Sequence, residues 1–273
     1  MNDTFHFPVL AVIRSFVTQI VGYFAIVGLL FLIFWVWGER RFASRRVQKV
    51  KRFSLKQWLH ELRYTLVTFA TGTGSVVVVT ALQAMGRTRL IDATTSGAPG
   101  QLVVLAWIVG LIVFNDAWFY GWHRFLHTPR MFRLIHYVHH KSVDVNPFSS
   151  YSFHAFEGFI LGAWIIPAAI FLPIPMSALA LVQVLGLLNN VYSHLGYELL
   201  PAWWLKVPPL KWMAGSTFHN LHHTKFNGNY ALFFRFWDRM LGTEVPGYEA
   251  AFVDRRLPRD LAQPPAAIHP QER

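Results

Sequence analysis

Long apolar runs dominate the hydrophobic pattern of the chain. The first covers residues 7–37 and is interrupted only by Arg14 and a few small polar residues. Because about 20 residues of helix cross the hydrocarbon core of a bilayer, this run predicts a membrane-spanning helix. It is too long for a signal peptide and lacks a basic leader. It is also followed by Glu-Arg-Arg at residues 39–41 rather than by a small-residue cleavage site.

Further apolar runs cover residues 64–85, 101–120, 159–172 and 174–191. Threonine and glycine dilute the run 64–85, as is common where membrane helices pack closely. The last two runs flank Pro173 and Pro175. Proline lacks the donor and the steric freedom that a helix interior needs, so this joint predicts the tip of a hairpin. The arm 159–172 is short for a full span, which favours a re-entrant or shallow hairpin.

These elements predict an all-α fold, an integral membrane helical bundle with about four to five spans or hairpin arms. We expect residues 1–100 to form N-terminal membrane helices and a basic loop. Residues 101–245 are expected to form a second region and residues 246–273 a loosely ordered tail. The last stretch, from Pro258, is rich in proline, alanine and charge.

The loops differ sharply in their content of lysine and arginine. Loops 38–63, 121–158 and 192–273 carry nine, four and nine of these residues, whereas loop 86–100 carries two. The positive-inside rule therefore places the first three loops on the cytoplasmic side and the N-terminus outside. The net charge of +11 then reflects topology and attraction to anionic headgroups, and no nucleic-acid partner is expected.

The composition limits the kinds of metal site and nucleophile that the chain can contain. The chain is 53% hydrophobic and 14% charged, and it contains no cysteine. Disulfides, iron–sulfur clusters, thiolate zinc sites and cysteine nucleophiles are therefore excluded. Any metal must be held by nitrogen or oxygen.

Histidine supplies the strongest local pattern. Ten of the 13 histidines lie between positions 123 and 223, and the spacing His-x-x-His-His occurs twice. At this histidine frequency about 0.03 chance copies are expected. Residues at i, i+3 and i+4 share one face of a helix, so each triplet directs three imidazoles to one side. The boxed residues are His123, His127, His136, His139, His140, His219, His222 and His223, and His194 precedes the second triplet.

A metal explains these histidines better than a hydrogen-bonded core does, although core or surface roles suit His6, His60 and His269. Each buried imidazole nitrogen left without a partner would cost about 1–3 kcal/mol. Imidazole suits zinc, copper, iron and nickel alike. A single zinc needs about four ligands, whereas this number of imidazoles fits about two metals. Paired metals without cysteine indicate oxidative chemistry rather than hydrolysis. The predicted topology gathers every box on the cytoplasmic face.

Three other interpretations are less consistent with these spacings. A histidine-rich membrane metal-binding or metal-transport protein would place its ligands within the spans near the midplane. A bis-histidine haem carrier would leave both triplets unexplained. A zinc hydrolase would need a carboxylate base, as in His-Glu-x-x-His, and none is present.

The boxes and their neighbours resemble the fatty acid hydroxylase/sterol desaturase superfamily over about residues 105–245. The order and spacing of four elements carry the resemblance. These elements are Trp118-Phe-Tyr-Gly-Trp-His123-Arg124-x-x-His127, His136-x-x-His139-His140, Asn190-x-x-x-His194-x-Gly196-x-Glu198, and His219-Asn-x-His222-His223-x-x-x-Asn227-x-Asn229-Tyr230 followed by Trp237-Asp238-Arg239 and Gly242-Thr243.

This resemblance implies that residues 101–245 form the catalytic domain of a membrane non-haem di-iron oxygenase. Such an enzyme uses O2 and external electrons to hydroxylate or desaturate a C–H bond of a lipid, whether fatty acyl, sterol or related. Carried over residue by residue, the ligands of two iron ions would be His123, His127, His136, His139, His140, His194, His219, His222 and His223, with no catalytic residue beyond them.

Some superfamily members carry a fused cytochrome b5 domain, for which this chain has no room. The resemblance therefore implies a separate electron donor of the cytochrome b5, ferredoxin or reductase type. The implied location is a bacterial inner membrane or the endoplasmic reticulum. The oligomeric state stays open.

Three residues are candidates for a further ligand or for an orienting contact outside the ligand set. His154 lies in an element like the superfamily's His-Pro-x-Glu, with Ala155 in place of proline. Glu157 follows His154 by three residues, and Asp116 precedes His123 by seven on the same helical face. Carboxylates commonly orient metal-binding imidazoles through their free N–H groups.

Overall fold

The computed structural model describes residues 9–48, 54–92, 97, 99–142 and 144–255. Within these ranges the chain is helical, and strand-like pairing is limited to isolated bridges. We number the helices in chain order as α1 (Val9–Phe31), α2 (Leu55–Ala84), α3 (Gln101–Leu126), α4 (residues 129–140), α5 (Ala155–Gly162), α6 (Ile165–Phe171), α7 (Met176–Ser193), α8 (Ser216–Lys225), α9 (Phe236–Met240) and α10 (Tyr248–Asp254).

Four helical stretches of the described chain are long and apolar enough to cross a membrane: Val12–Trp37, Leu55–Ala84, Gln101–Leu126 and Met176–Ser193. Their outer faces carry exposed apolar side chains such as Leu10, Leu102 and Val109, as expected for surfaces in contact with lipid. The predicted all-α membrane bundle is therefore confirmed. The first two residues of the predicted first span lie outside the described residues.

Helix α2 begins at Leu55, nine residues before the predicted start at residue 64. The side chain of Ser54 caps the helix by accepting the N–H of Gln57. Gln57 and Asn146 both donate to Glu61, which is completely buried. The added turns are polar yet helical because these side chains find partners inside the protein, which an apolarity criterion does not detect.

Helix α3 continues to Leu126, six residues past the predicted end at residue 120. His123 and Leu126 on the extra turns are buried against the histidine-bearing segments. Helix α1 continues as a π-helix, Leu32–Trp37, and the indole N–H of Trp35 in this segment donates to the carbonyl of Leu195.

The predicted hairpin arm 159–172 consists of two short helices, α5 and α6, and α5 begins at Ala155. Neither helix is long enough to cross a bilayer. The prolines separate α6 from α7 as predicted. The tip meets the loop that follows α2, because the N–H of Arg89 donates to Ala169 and that of Ile91 to Ile174. The broken arm thus reaches the same end of the bundle as the α2–α3 connection.

At the opposite end of the bundle, contacts draw the histidine-bearing segments together. His60 near the start of α2 contacts the carbonyl of Val138 at 2.9 Å. Arg46, after α1, forms a buried ion pair with Asp144 at 2.9 Å. Helix α8 packs on α7. The boxes therefore share one end of the bundle.

Helix α10 occupies part of the segment 246–273 that the sequence analysis assigns to a loosely ordered tail. Tyr248 and Phe252 are buried, and the Tyr248 ring packs against Phe218 of α8 and under the guanidinium of Arg235. These apolar contacts account for the order of the segment. Residues 256–273 lie outside the described residues.

Candidate metal centre

Nine histidines form two groups whose nitrogen atoms lie within 4.8 Å of one another in each group. The groups are neighbours, because the ring centroids of His139 and His140 are 5.7 Å apart and those of His222 and His223 are 5.6 Å apart. The first group contains His123, His127, His136, His140 and His222, and the second contains His139, His194, His219 and His223. These are the nine residues that the sequence resemblance indicates.

Each His-x-x-His-His triplet divides its members between the two groups. His136 and His140 enter the first group and His139 the second, whereas His219 and His223 enter the second and His222 the first. The cause is helical geometry. Residues at i and i+4 differ by about 40° around the axis, whereas the residue at i+3 lies about 60° to the other side. The two triplet helices therefore each contribute to both groups.

In the first group, acceptors outside the group fix the orientation of four rings. The Nδ1–H of His123 donates to the carbonyl oxygen of Tyr230 at 2.7 Å. In the same way, His127 donates to the carbonyl of Phe226 at 2.7 Å and His222 to that of Gly228 at 2.8 Å. A carbonyl can only accept, so each Nδ1 carries the hydrogen and each neutral Nε2 presents a lone pair.

His136 is oriented by a carboxylate instead of a carbonyl. Its Nδ1–H donates to Oε1 of Glu157 at 2.6 Å, and both side chains are almost completely buried. Glu157 thus takes the orienting role that carboxylates often play beside metal-binding histidines. The prediction placed Glu157 near the site, and the structure shows this contact.

The inward nitrogens of the first group are too close for neutral imidazoles alone. Nε2 of His123 lies 3.1 Å from Nε2 of His136, and Nε2 of His127 lies 3.2 Å from that of His222. Where both rings of a pair carry their hydrogen on Nδ1, the two Nε2 lone pairs face each other and no hydrogen bond can form between them. A bound cation would turn this repulsion into coordination.

In the second group, too, a carbonyl orients a ring and the inward nitrogens lie close together. His194 donates from Nδ1 to the carbonyl of Asn190 at 2.9 Å. Its Nε2 lies 2.9 Å from that of His219 and 3.3 Å from that of His139. Buried Nδ1 atoms without a hydrogen-bond partner among the described residues belong to His139, His140 and His223. The donor set of both groups therefore fits metal ions of the imidazole-binding type.

Burial also favours the neutral form of these rings. It lowers the pKa of the imidazoles outside the spanning helices, and in most of them the neighbouring imidazoles lower it further. The pKa of His194 falls to about 4 for the same main reason. Since a metal binds only the deprotonated nitrogen, the rings are in the ligand form near neutral pH.

His154, the candidate for a further ligand or an orienting residue, belongs to neither group. It occupies the N-cap of α5, where its Nδ1 accepts the N–H of Phe156 at 3.2 Å. The capping geometry fixes the ring at the helix start, away from the two histidine groups.

Asp116, the other candidate, likewise belongs to neither group. Its carboxylate accepts the backbone N–H groups of Leu232, Phe233 and Phe234 at 2.7 to 3.0 Å. Asp116 therefore fixes the chain segment after Tyr230, whose carbonyl orients His123.

The loop 226–230 is a functional element that sequence reasoning used only as part of the resemblance. Its three carbonyls orient three rings, and this requires left-handed backbone at Phe226, Gly228 and Asn229. A Cβ at Gly228 would lie 2.5 Å from the carbonyl oxygen of Thr243. The Asn-Gly-Asn sequence at residues 227–229 is a turn signal that could have indicated the loop.

A cavity with about 870 Å³ of empty space, its open mouth included, adjoins the histidine groups. Phe119 and Phe153 line the cavity and also pack against the site, with ring centroids 5.0 Å from His123 and 4.7 Å from His139. These two rings are therefore common to the cavity wall and to the packing around one histidine of each group. Helices α2, α3, α5, α6 and α7 supply most of its wall.

Comparisons with known proteins agree on one family. The sequence profile described as fatty acid hydroxylase matches residues 108–243. Methylsterol monooxygenase 1 of Gallus gallus is 37% identical over 146 residues, which is 54% of this chain and 48% of that protein. A Delta(7)-sterol 5(6)-desaturase of Leptosphaeria maculans is 34% identical over 161 residues, which is 58% of this chain and 42% of that protein.

The matched regions span about half the length of these relatives. The residues matched by the family profile, 108–243, include all nine histidines of the two groups. No solved structure matches the chain.

Proposed function

The chain belongs to the fatty acid hydroxylase/sterol desaturase superfamily, and from this premise we propose that it is a membrane-bound, O2-dependent lipid oxidoreductase with a non-haem di-iron centre. It would hydroxylate or desaturate a C–H bond of a lipid. Electrons would come from a separate donor of the cytochrome b5, ferredoxin or reductase type.

The observation that carries this proposal is the arrangement of the nine histidines. Five and four imidazoles converge in two adjacent groups, and neither group contains a carboxylate ligand. Two donor sets of this size suit one metal each. The same arrangement offers no carboxylate base of the kind that zinc hydrolases use, which disfavours hydrolysis.

An unactivated C–H bond needs an oxidant stronger than any side chain. Iron bound by His123, His127, His136, His140 and His222 and by His139, His194, His219 and His223 would supply it by activating O2.

The residues of the chain itself would hold and shield this chemistry. The carbonyls of the loop 226–230 and the carboxylate of Glu157 hold the first group in the ligand tautomer. Phe119 and Phe153 pack on His123 and His139 and exclude water from the side that faces the cavity. A reacting carbon in the cavity would thus approach both groups from one side.

The cavity favours a lipid substrate. It lies among helices that are apolar enough to span a membrane, so a substrate could enter from the bilayer. The relatives are named for sterols, which makes a sterol the first candidate substrate and a fatty acyl lipid the second.

Metal transport or storage is the alternative. Transport sites usually lie within the spans near the middle of the membrane. The histidine groups lie at one end of the bundle, beyond the last residue of α3 and α7 for His127 and His194. We propose that this end faces the cytoplasm, as the lysine and arginine content of the loops predicts.

Lipid mass spectrometry tests the proposed function. Lipids from cells with and without the gene would be compared under ¹⁸O2, and we expect a product that has gained one labelled oxygen atom or lost two hydrogen atoms. The His139→Ala variant should abolish the product, whereas the control variant His154→Ala should retain it because His154 is outside both groups. A product that persists in His139→Ala, or metal export without any oxidised lipid, would contradict the proposal.

A further inference from the structure

Asn115 is the unusual residue of the cavity wall. It lies on α3, inside the apolar part of the bundle, and only 7% of its surface is exposed. Its side chain lines the cavity. Among the described residues, no group forms a hydrogen bond with its amide. The amide is thus open to the cavity, where a ligand can pair with it, as polar groups in protein interiors normally are paired.

Three other buried polar residues on the cavity wall, Thr68, Ser75 and Asn190, are paired within the protein. The hydroxyls of Thr68 and Ser75 donate to the carbonyls of Tyr64 and Gly72 on their own helix. Asn190 donates from Nδ2 to the carbonyl of Ser150 at 2.7 Å. These groups need no ligand to satisfy them, so they do not compete with Asn115 for this role.

The residue opposite Asn115 has no side chain. It is Gly186 on α7, where a Cβ would come into ordinary van der Waals contact with Nδ2 of Asn115 at 4.0 Å. Gly186 also lines the cavity. A larger side chain at this position would occupy the space in front of the amide.

Asn115 lies on the route from the cavity to the histidines. It precedes His123 by eight residues, which corresponds to about 12 Å along the helix. Phe119 lies between the two residues, lines the cavity and packs against His123. A group bound at Asn115 would therefore be separated by several bonds from a carbon that reaches the metal centre.

We propose that Asn115 hydrogen-bonds the oxygen of an alcohol or ketone group on the lipid substrate. This contact would determine which substrates are held with a reacting carbon at the metal centre. This inference rests on the proposed function, because it assigns a specificity role within the same site. An amide can donate to either oxygen and can accept from a hydroxyl. A plain hydrocarbon would leave the amide unpaired and would bind more weakly.

Two matched pairs of lipids test this role without any turnover. Cholesterol is compared with 5-cholestene, and oleyl alcohol with 9-octadecene, because the members of each pair differ in one hydroxyl group. Binding to the purified protein in detergent is measured by quenching of tryptophan fluorescence, since Trp164 lines the cavity. We expect the native protein to prefer the hydroxylated member of one pair by about tenfold. The pair that shows the preference identifies a sterol or an acyl lipid as the source.

Replacing the amide should remove the preference. In Asn115→Leu, both members of the pair should bind with the affinity of the hydrocarbon. The control variant Thr73→Val should keep the preference, because the Thr73 hydroxyl already donates to the carbonyl of Phe69 at 2.7 Å. Asn115→Leu should also unfold at the same or a higher temperature than the native protein, because leucine removes a buried polar group without a partner.

Three results would overturn the inference. The first is a native protein without preference for the hydroxylated lipid, including one that binds none of the four. The second is an Asn115→Leu variant that keeps the preference. The third is a clear fall in the unfolding temperature of Asn115→Leu, which would show a structural role for the amide. Oxidised lipid detected by mass spectrometry alongside any of these results would refute the role of Asn115 and leave the proposed function intact.

Discussion

Replacing Glu157 by leucine should weaken metal binding in the first histidine group only. Glu157 accepts the Nδ1–H of His136 at 2.6 Å, and the two side chains are 0% and 1% exposed. Removing the carboxylate leaves a buried N–H without a partner, which costs about 1–3 kcal/mol. Because 1.4 kcal/mol corresponds to about tenfold in an equilibrium constant, metal affinity should fall by about 5- to 150-fold. This range agrees with the loss of about 10- to 100-fold that is usual for such orienting partners.

The assay is a chelator titration followed by elemental analysis of the protein. Glu157→Leu should lose one metal at a lower chelator concentration than the native protein, while the second metal remains. Glu157→Gln should fall between the two, because its amide oxygen can still accept from His136. Glu61→Leu is the matched control, since Glu61 is equally buried but contacts Gln57 and Asn146 instead of a histidine.

Two results would refute this reasoning. One is a Glu157→Leu variant that retains both metals at the chelator concentration of the native protein. The other is loss of both metals at the same concentration in Glu157→Leu and Glu61→Leu. The second result would show that general destabilisation, and not the orientation of His136, controls metal binding.

Three further predictions follow from the site and the topology. Gly228→Ala should strain the backbone, which has φ +104° at this residue, by about 1–3 kcal/mol and displace the carbonyl that orients His222. We therefore expect a lower metal content and a lower unfolding temperature, and an unchanged metal content would contradict the role of this loop. In metal-free protein, burial lowers the pKa of His194 to about 4, whereas a value of about 6.5 is expected in the unfolded chain. The contribution of His194 to the free energy of unfolding should therefore be full above pH 6.5 and should fall as the pH drops towards 4, because the unfolded chain binds the extra proton. A denaturation midpoint that does not change over this pH range would contradict this prediction. The chain contains no cysteine, so single cysteines can be labelled selectively. Arg87→Cys should react with an impermeant thiol reagent in intact cells, whereas Lys206→Cys should react only after lysis. The reverse pattern would refute the predicted topology.

The sequence was sufficient to predict which histidines come together but not how they divide between the two groups. The two triplets and the i, i+4 pair of His123 and His127 indicate helices with one histidine-rich face. Helical geometry sets His139 and His222, the i+3 members, apart from the rest of their triplets. Which residues of the other segments complete each group depends on contacts between residues far apart in the chain.

The spans were predicted best where apolarity alone decides the structure. The start of α2 was missed because Glu61 and Gln57 are polar, although Glu61 is buried and accepts a hydrogen bond from Gln57. His154 was a candidate because its segment resembles the superfamily's His-Pro-x-Glu element. In the structure His154 caps α5, whereas Glu157, one helical turn later, reaches His136.

The site's orienting groups were the least predictable part. Three of them are backbone carbonyls in the loop 226–230, which carry no side-chain signature. Asp116 has a signature, a carboxylate inside a spanning helix, but its partners are backbone N–H groups more than a hundred residues away. Such pairings depend on the assembled fold.

The iron-to-protein ratio of active protein tests the central claim most directly. The claim is that the five-histidine and four-histidine groups each hold one iron ion. Elemental analysis of gently purified protein with measurable lipid oxidation should give about two irons per chain, one for each group. Full activity with stoichiometric zinc, with a single metal or with no metal would contradict the account.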